Sequence, residues 1–171
     1  VEMLTGDQIK TLEKDKDFLA RLDKVYKSFN AYLQEADHRP DNMIAYFSME
    51  YGLNENIRTY SGGLGVLAGD YLKQASDSNK NMIAVGLFYR YGYFQQSISL
   101  FGDQLAQYNP QKLSYLPVTP VLSDTGEPVK VSIALPGRNL YARAWRIDVG
   151  RIPLYLLDAD IPENLPNDRP V

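Results

Sequence analysis

Tyr60-Ser61-Gly62-Gly63-Leu64-Gly65-Val66-Leu67-Ala68-Gly69-Asp70-Tyr71-Leu72-Lys73-Gln74-Ala75 is the stretch on which the fold turns. Leu64, Leu67, Ala68, Tyr71, Leu72 and Ala75 fall at i, i+3, i+4, i+7, i+8 and i+11, which predicts a helix with one apolar stripe. Asp77-Ser78-Asn79 ends it. Upstream, residues 43–49 form a short apolar and aromatic run with almost no alternation, and residues 82–88 form a second. Runs too short for a good helix and without alternation suit strands buried on both faces, as in a parallel sheet. Strand, glycine-rich turn, helix, strand is a βαβ unit, the crossover that parallel neighbours require, and it is right-handed almost without exception. Residues 41–96 therefore read as α/β.

Working outward, residues 1–40 read as helical. Thr5-Gly6-Asp7-Gln8 has the form of a capping box, and the charged run Glu13-Lys14-Asp15-Lys16-Asp17 predicts a break and a new N-cap. Leu19, Leu22, Val25, Tyr26, Phe29, Tyr32 and Leu33 then recur at three- and four-residue steps, a stripe expected to pack on something else. The run Glu35-Ala36-Asp37-His38-Arg39-Pro40 reads as a loop, broken at Pro40-Asp41-Asn42. Residues 97–171 are β-rich, with strands expected over 118–122, 129–135, 140–149 and 153–157. Val129, Val131, Ile133 and Leu135 alternate with polar or small residues and predict one buried face. This part reads as an antiparallel meander appended to the α/β unit. Arg138, Arg143, Arg146 and Arg151 follow the alternation as exposed-face residues, and Asp70, two turns into its helix, as structural.

Composition narrows the chemistry. The 171 residues contain no cysteine and one histidine, His38, which excludes thiol nucleophiles, disulfide scaffolds, Cys-bearing zinc sites and multi-histidine metal centres. A Ser-His-Asp triad would rest on His38 alone, in a loop. The formal net charge of -3 leaves no electrostatic footprint for non-specific nucleic-acid binding. No signal peptide is visible, and no apolar run approaches a bilayer span, so a cytoplasmic protein is the expectation.

The chemistry that remains lies in the glycine loop. The first N–H groups of a helix have no internal partner, the helix dipole is positive there, and glycine lets the backbone approach a phosphate closely. Ligands of α/β sheets collect beyond the C-terminal strand ends. The loop is neither a P-loop nor the dinucleotide fingerprint, since Val66-Leu67-Ala68 follows the glycines. A tight turn with close helix–sheet packing would use the same residues. Glu50, at the end of the first strand run, can face a ligand or bond to loop N–H groups. The tyrosines at Tyr89, Tyr91 and Tyr93 suit a packed sheet edge or a sugar platform.

Three ordered segments carry a resemblance: Tyr46-Phe47-Ser48-Met49-Glu50-Tyr51-Gly52-Leu53, the loop from Tyr60 through Asp70, and Val85-Gly86-Leu87-Phe88-Tyr89-Arg90-Tyr91-Gly92-Tyr93-Phe94-Gln95-Gln96. Leu135-Pro136-Gly137-Arg138, Arg143-Ala144-Trp145 and the block from Val149 to Asp160 extend it. Together they resemble the α-glucan (glycogen/maltodextrin) phosphorylases, most closely the shorter bacterial and archaeal branch.

The resemblance implies a GT-B fold, two Rossmann-like domains facing a cleft, of which residues 1–171 would be an incomplete N-terminal domain. It implies transfer of terminal α-1,4-linked glucosyl units to inorganic phosphate, giving glucose 1-phosphate, and pyridoxal 5'-phosphate held by a lysine of a second domain absent from this chain. It assigns substrate-phosphate binding to Gly62, Gly63 and Leu64, and the cleft wall to Glu50, Tyr89 and Arg90, with no catalytic residue and no metal in this stretch. The implied partners are α-glucan and phosphate, with a homodimer of the whole protein and neither nucleic acid nor membrane. Asn54, where relatives often carry His, and Ile57-Arg58-Thr59, where they often carry Pro, depart from the pattern in a loop. The chain alone is expected to be inactive. Two rival readings share the loop: a nucleotide-sugar glucan synthase of the same architecture, which usually carries a Lys-containing motif near its N-terminus, and a non-catalytic carbohydrate- or phosphate-binding module.

Overall fold

The computed structural model describes residues 4–35, 42–111 and 116–169. His38 and the break at Pro40-Asp41 lie outside the described residues. The chain divides into two compact units, residues 1–39 and 40–171.

The first unit holds two helices. In α1 (Gly6–Leu12) Thr5 and Gln8 form the expected reciprocal capping box. Asp15 caps α2 (Lys16–Gln34), its carboxylate accepting from the Phe18 N–H at 2.9 Å. The charged run therefore breaks the helix where the sequence reading places the break. No residue of either helix is buried.

The second unit is built on the expected βαβ crossover. Strand β1 (Ile44–Phe47), helix α3 (Gly63–Asp77) and strand β2 (Met82–Leu87) follow in order, and β1 pairs parallel to β2 with Ile44 opposite Met82. A hairpin, β3 (Gln95–Ile98) and β4 (Gln104–Gln107), stands apart as its own two-stranded sheet. Strands β5 (Thr119–Pro120), β6 (Lys130–Leu135), β7 (Arg138–Val149) and β8 (Ile152–Asp158) complete the main sheet. Its order is β1-β2-β8-β7-β5, with β6 also pairing along β7.

Four expectations are corrected here. Strands β6, β7 and β8 form the expected antiparallel meander, but it is not an appendage: β8 pairs parallel with β2, so both belong to one mixed sheet. Strand β1 is not buried on both faces. It lies at a sheet edge, and Ile44 and Phe47 are 51% and 71% exposed. Strand β2 buries alternate residues, because α3 covers one sheet face. Strand β6 buries neither face among the described residues, with Val131 and Ile133 exposed at the opposite margin.

The core forms between α3 and one face of the sheet. Ala68, Leu72 and Ala75 of the helix meet Met82 and Ala84 of β2, Ile152, Leu154 and Leu156 of β8 and Ile147 of β7, with Tyr51, Ile57 and Phe88 from the connections. The periodicity of α3 is as expected, but the buried face is turned. Gly65, Ala68, Gly69, Leu72, Ala75 and Ser76 are buried, whereas Leu64, Leu67 and Tyr71 are exposed. Closeness decides which face turns in. A Cβ on Gly69 would lie 2.1 Å from the Gly52 carbonyl oxygen, so only a residue without a side chain permits this approach.

Arg151, expected on an exposed face, is buried. Its backbone N–H donates to Ser76 Oγ at 2.7 Å and its guanidinium to the Ser76 carbonyl at 3.0 Å, at the C-terminal end of α3. Arg143 donates to Asp158, which is fully buried and also accepts from Trp145 Nε1.

Candidate functional site

The chain leaving β1 runs alongside the segment that leads into α3, and four hydrogen bonds hold the two together. Ser61 Oγ donates to Glu50 Oε1 at 2.8 Å, and the Ser61 N–H to Glu50 Oε2 at 3.3 Å. The Tyr51 N–H donates to the Thr59 carbonyl at 3.2 Å, and Thr59 Oγ1 to the Tyr51 carbonyl at 2.8 Å. One residue on, the Gly52 N–H donates to the Gly65 carbonyl at 2.7 Å. Gly62 thereby becomes the N-cap of α3, extended at φ -159°, with no side chain capping it.

The two readings of the glycines now separate by position. Gly65 serves packing: its Cβ would lie 2.4 Å from Tyr60 Cβ. Gly62 and Gly63 do not, since a Cβ on either meets nothing within 4 Å. Both face open space at the first turn of a helix whose initial N–H groups point along the dipole. Among the described residues no acceptor takes the N–H of Gly63 or Leu64. The Leu64 side chain is exposed beside them.

Glu50 takes the second of its two readings, as a partner of the loop that bonds to Ser61. Its charge still reaches the site. The Tyr89 phenol is pushed above its ordinary pKa, first by burial and then by the Glu50 carboxylate, so it stays a neutral hydroxyl beside an anion. Arg90 pairs with Asp160 at 3.1 Å. Tyr89, Tyr91, Gly92 and Tyr108 line an open recess of about 400 Å³. Glu50, Tyr89 and the glycine loop are thus neighbours by bond or by field, while Arg90 is held by an acid from beyond β8. Asp70 is exposed, 3.8 Å from Lys73, away from the loop's hydrogen bonds.

Sequence reasoning missed Gln111. It is 9% exposed, and its side chain bonds to the backbone of Arg58 and Tyr89. A lone Gln in a polar run has no periodicity or motif to flag it, and its partners are distant in sequence. Among the described residues no group of three His, Asp or Glu could hold a metal ion, and no helix is long and apolar enough to cross a membrane.

Comparison with known proteins gives the chain its relatives. A family model described as "Protein of unknown function (DUF3417)" matches residues 1–57. A maltodextrin phosphorylase of Thermococcus litoralis is 38% identical over 175 residues, 96% of this chain and 21% of that protein. A glycogen phosphorylase of Mycobacterium tuberculosis is 46% identical over 167 residues, 90% of this chain and 19% of that protein. One of Aquifex aeolicus is 36% identical over 163 residues, 92% of this chain and 23% of that protein. The chain spans about a fifth of the length of these curated relatives. Over some nine-tenths of its own length it is therefore a homologue of the glycogen and maltodextrin phosphorylases, matched to one part of them.

Proposed function

We propose that the whole protein carrying this chain phosphorolyses terminal α-1,4-glucosidic bonds of an α-glucan such as glycogen, starch or maltodextrin. The glucosyl C1–O4 bond breaks, a C1–O bond to phosphate forms, and the departing glucan O4 takes the proton that hydrogen phosphate brings. Residues 1–171 would be an incomplete Rossmann-like N-terminal domain of a GT-B fold, and the Gly62-Gly63-Leu64 turn the place where phosphate oxygens meet backbone N–H groups.

The observation that carries this reading is steric. Gly62 and Gly63 lack side chains where packing does not require it. Close approach of a ligand to the backbone supplies a reason. Glu50 adds a condition. A carboxylate bonded to Ser61 beside the turn opposes a second anion, so a bound phosphate needs positive charge from elsewhere in the whole protein. Arg90, paired with Asp160, keeps a cation at the same sheet end without an uncompensated charge.

Pyridoxal 5'-phosphate belongs to the proposal as the group supplying the proton-shuttling phosphate. The described residues do not fit its attachment: every described lysine is exposed, and a Schiff-base lysine needs a desolvated pocket. The part of this chain is to bind and orient, and a homodimer of the whole protein remains within the proposal.

Gly63→Ala in the whole protein tests the turn. The added methyl enters open space, so the fold is kept, and the expected result is a rise of about tenfold in KM for phosphate with the thermal transition unmoved. An unaltered rate at limiting phosphate refutes the assignment of the loop. A pyridoxal absorbance fixed onto a lysine by borohydride separates the phosphorylase reading from a nucleotide-sugar synthase or a binding module.

A further inference from the structure

Gln111 is the most completely used side chain near the site. Its Oε1 accepts from the Arg58 N–H at 2.9 Å, and its Nε2 donates to the Arg58 carbonyl at 3.2 Å and the Tyr89 carbonyl at 2.7 Å. Its own backbone N–H donates to the Arg90 carbonyl at 2.7 Å. One amide therefore holds the backbone of two segments, and Arg58 lies 53 positions from it in sequence.

Each gripped segment leads directly to a site group. Arg58 precedes Thr59, which bonds to Tyr51, and lies three residues before Ser61, which bonds to Glu50 and opens the glycine turn. Tyr89, whose phenol feels the Glu50 carboxylate, and Arg90 begin the second segment and are the residues proposed as cleft wall. Arg58 is further fixed by Gly92, at φ +56°, where a Cβ would come within 2.8 Å of the Arg58 carbonyl oxygen. On the other side the Gln95 amide oxygen, in the orientation that faces Arg58, accepts from its guanidinium at 2.8 and 3.2 Å.

We infer that Gln111 is a positioning residue that locks the entry to the glycine turn against the Tyr89–Arg90 wall, and so sets the geometry in which phosphate is bound. The functional half of this inference rests on the phosphorylase reading. The mechanical half does not, because it concerns only how the backbone of residues 58–65 is held. Neither a carboxylate nor a thioether can replace the amide. Glu at this position would set negative charge against two carbonyl oxygens, and Met would leave both carbonyls and the Arg58 N–H without a partner.

The test compares Gln111→Met and Gln111→Glu with the parent, all as the whole protein. The expected result is backbone hydrogen exchange about tenfold or more faster at the bonded amides of Tyr51, Gly52, Thr59 and Ser61, with exchange in the C-terminal half of α3 unchanged. The KM for inorganic phosphate should rise about fivefold or more, with the KM for maltodextrin within about twofold of the parent. Gln111→Ser, which leaves room for water to bridge the same groups, should recover part of both effects and replaces the Met variant if that does not fold. Unchanged exchange at Tyr51, Gly52, Thr59 and Ser61, or a uniform rise over the whole unit, overturns the positioning role. If the parent protein does not phosphorolyse glucan, the phosphorylase reading fails alone and the exchange result still decides the mechanical role. If exchange responds and the KM for phosphate does not, the link to phosphate is refuted.

Discussion

Gly69→Ala reverses an ordinary rule and so tests the packing that positions the glycine turn. In an exposed helix interior, Ala replaces Gly with a gain of about 1 kcal/mol. Gly69 is buried, and its added methyl would sit 2.1 Å from the Gly52 carbonyl oxygen, where ordinary contact begins at 3.4 Å. The helix must move by about 1.3 Å, and the obstacle is backbone, which no rotamer change can clear. A shift of that size carries the Gly52 N–H out of reach of the Gly65 carbonyl, now 2.7 Å away. Overpacking costs about 1–3 kcal/mol and an orphaned buried N–H about 1–3 kcal/mol. Set against the helix gain, the net loss is about 1–5 kcal/mol. Hydrogen exchange of the α3 amides in the whole protein reads this directly, since about 1.4 kcal/mol is tenfold in an opening equilibrium. Exchange in α3 should quicken about fivefold or more, and the same measurement on Gly63→Ala should show no change. Equal or greater protection in Gly69→Ala would mean that helix propensity governs the position, and the close approach of α3 to Gly52 would be refuted.

Two further outcomes follow from buried polar groups. Burial first, and then the neighbouring Tyr46, pushes the Tyr51 phenol up to about 12, with its hydroxyl donating to the Tyr46 and Val85 carbonyls. The folded state resists ionisation that the unfolded chain undergoes near pH 10, so stability holds below about pH 10 and falls between about pH 10 and 12, by about 2–3 kcal/mol in all. Tyr51→Phe should lose about 1–2 kcal/mol at neutral pH and flatten that alkaline fall in denaturation profiles; an equally steep fall in the variant argues against Tyr51 as its source. Asp158, 1% exposed, holds Arg143 at 2.8 Å. Arg143→Met should destabilise by about 2–4 kcal/mol, the lower end reflecting an arginine still a third exposed, while Arg143→Met with Asp158→Asn recovers about half or more. A double variant no better than the single one in thermal unfolding would show that charge burial is not the cause.

Much of both units was legible because the signals are local. The 3.6-residue rhythm from Leu64, the unalternating runs on either side and the Thr5 capping box each depend on neighbours within a few positions, and each element formed where expected. The hairpin of β3 and β4 escaped notice because Gln95-Gln96-Ser97-Ile98 and Gln104-Leu105-Ala106-Gln107 are polar and carry no buried-face alternation. Of the site, the glycine turn and Glu50 stood out by motif. The division of the glycines into Gly65 for packing and Gly62 and Gly63 facing open space did not, because it depends on where Tyr60 falls.

The sequence by itself determined the βαβ crossover, the caps, the absence of thiol and multi-histidine chemistry, and the resemblance that its relatives bear out. Tertiary structure alone decided which side of α3 turns inward, which glycines lie free, that β8 joins β2 in one sheet, and that Gln111 and Arg151 are buried rather than exposed. The physical reason is range. Propensity and periodicity act over one or two turns of chain, whereas a 2.1 Å obstacle or a carbonyl 53 positions away exists only once the chain has folded.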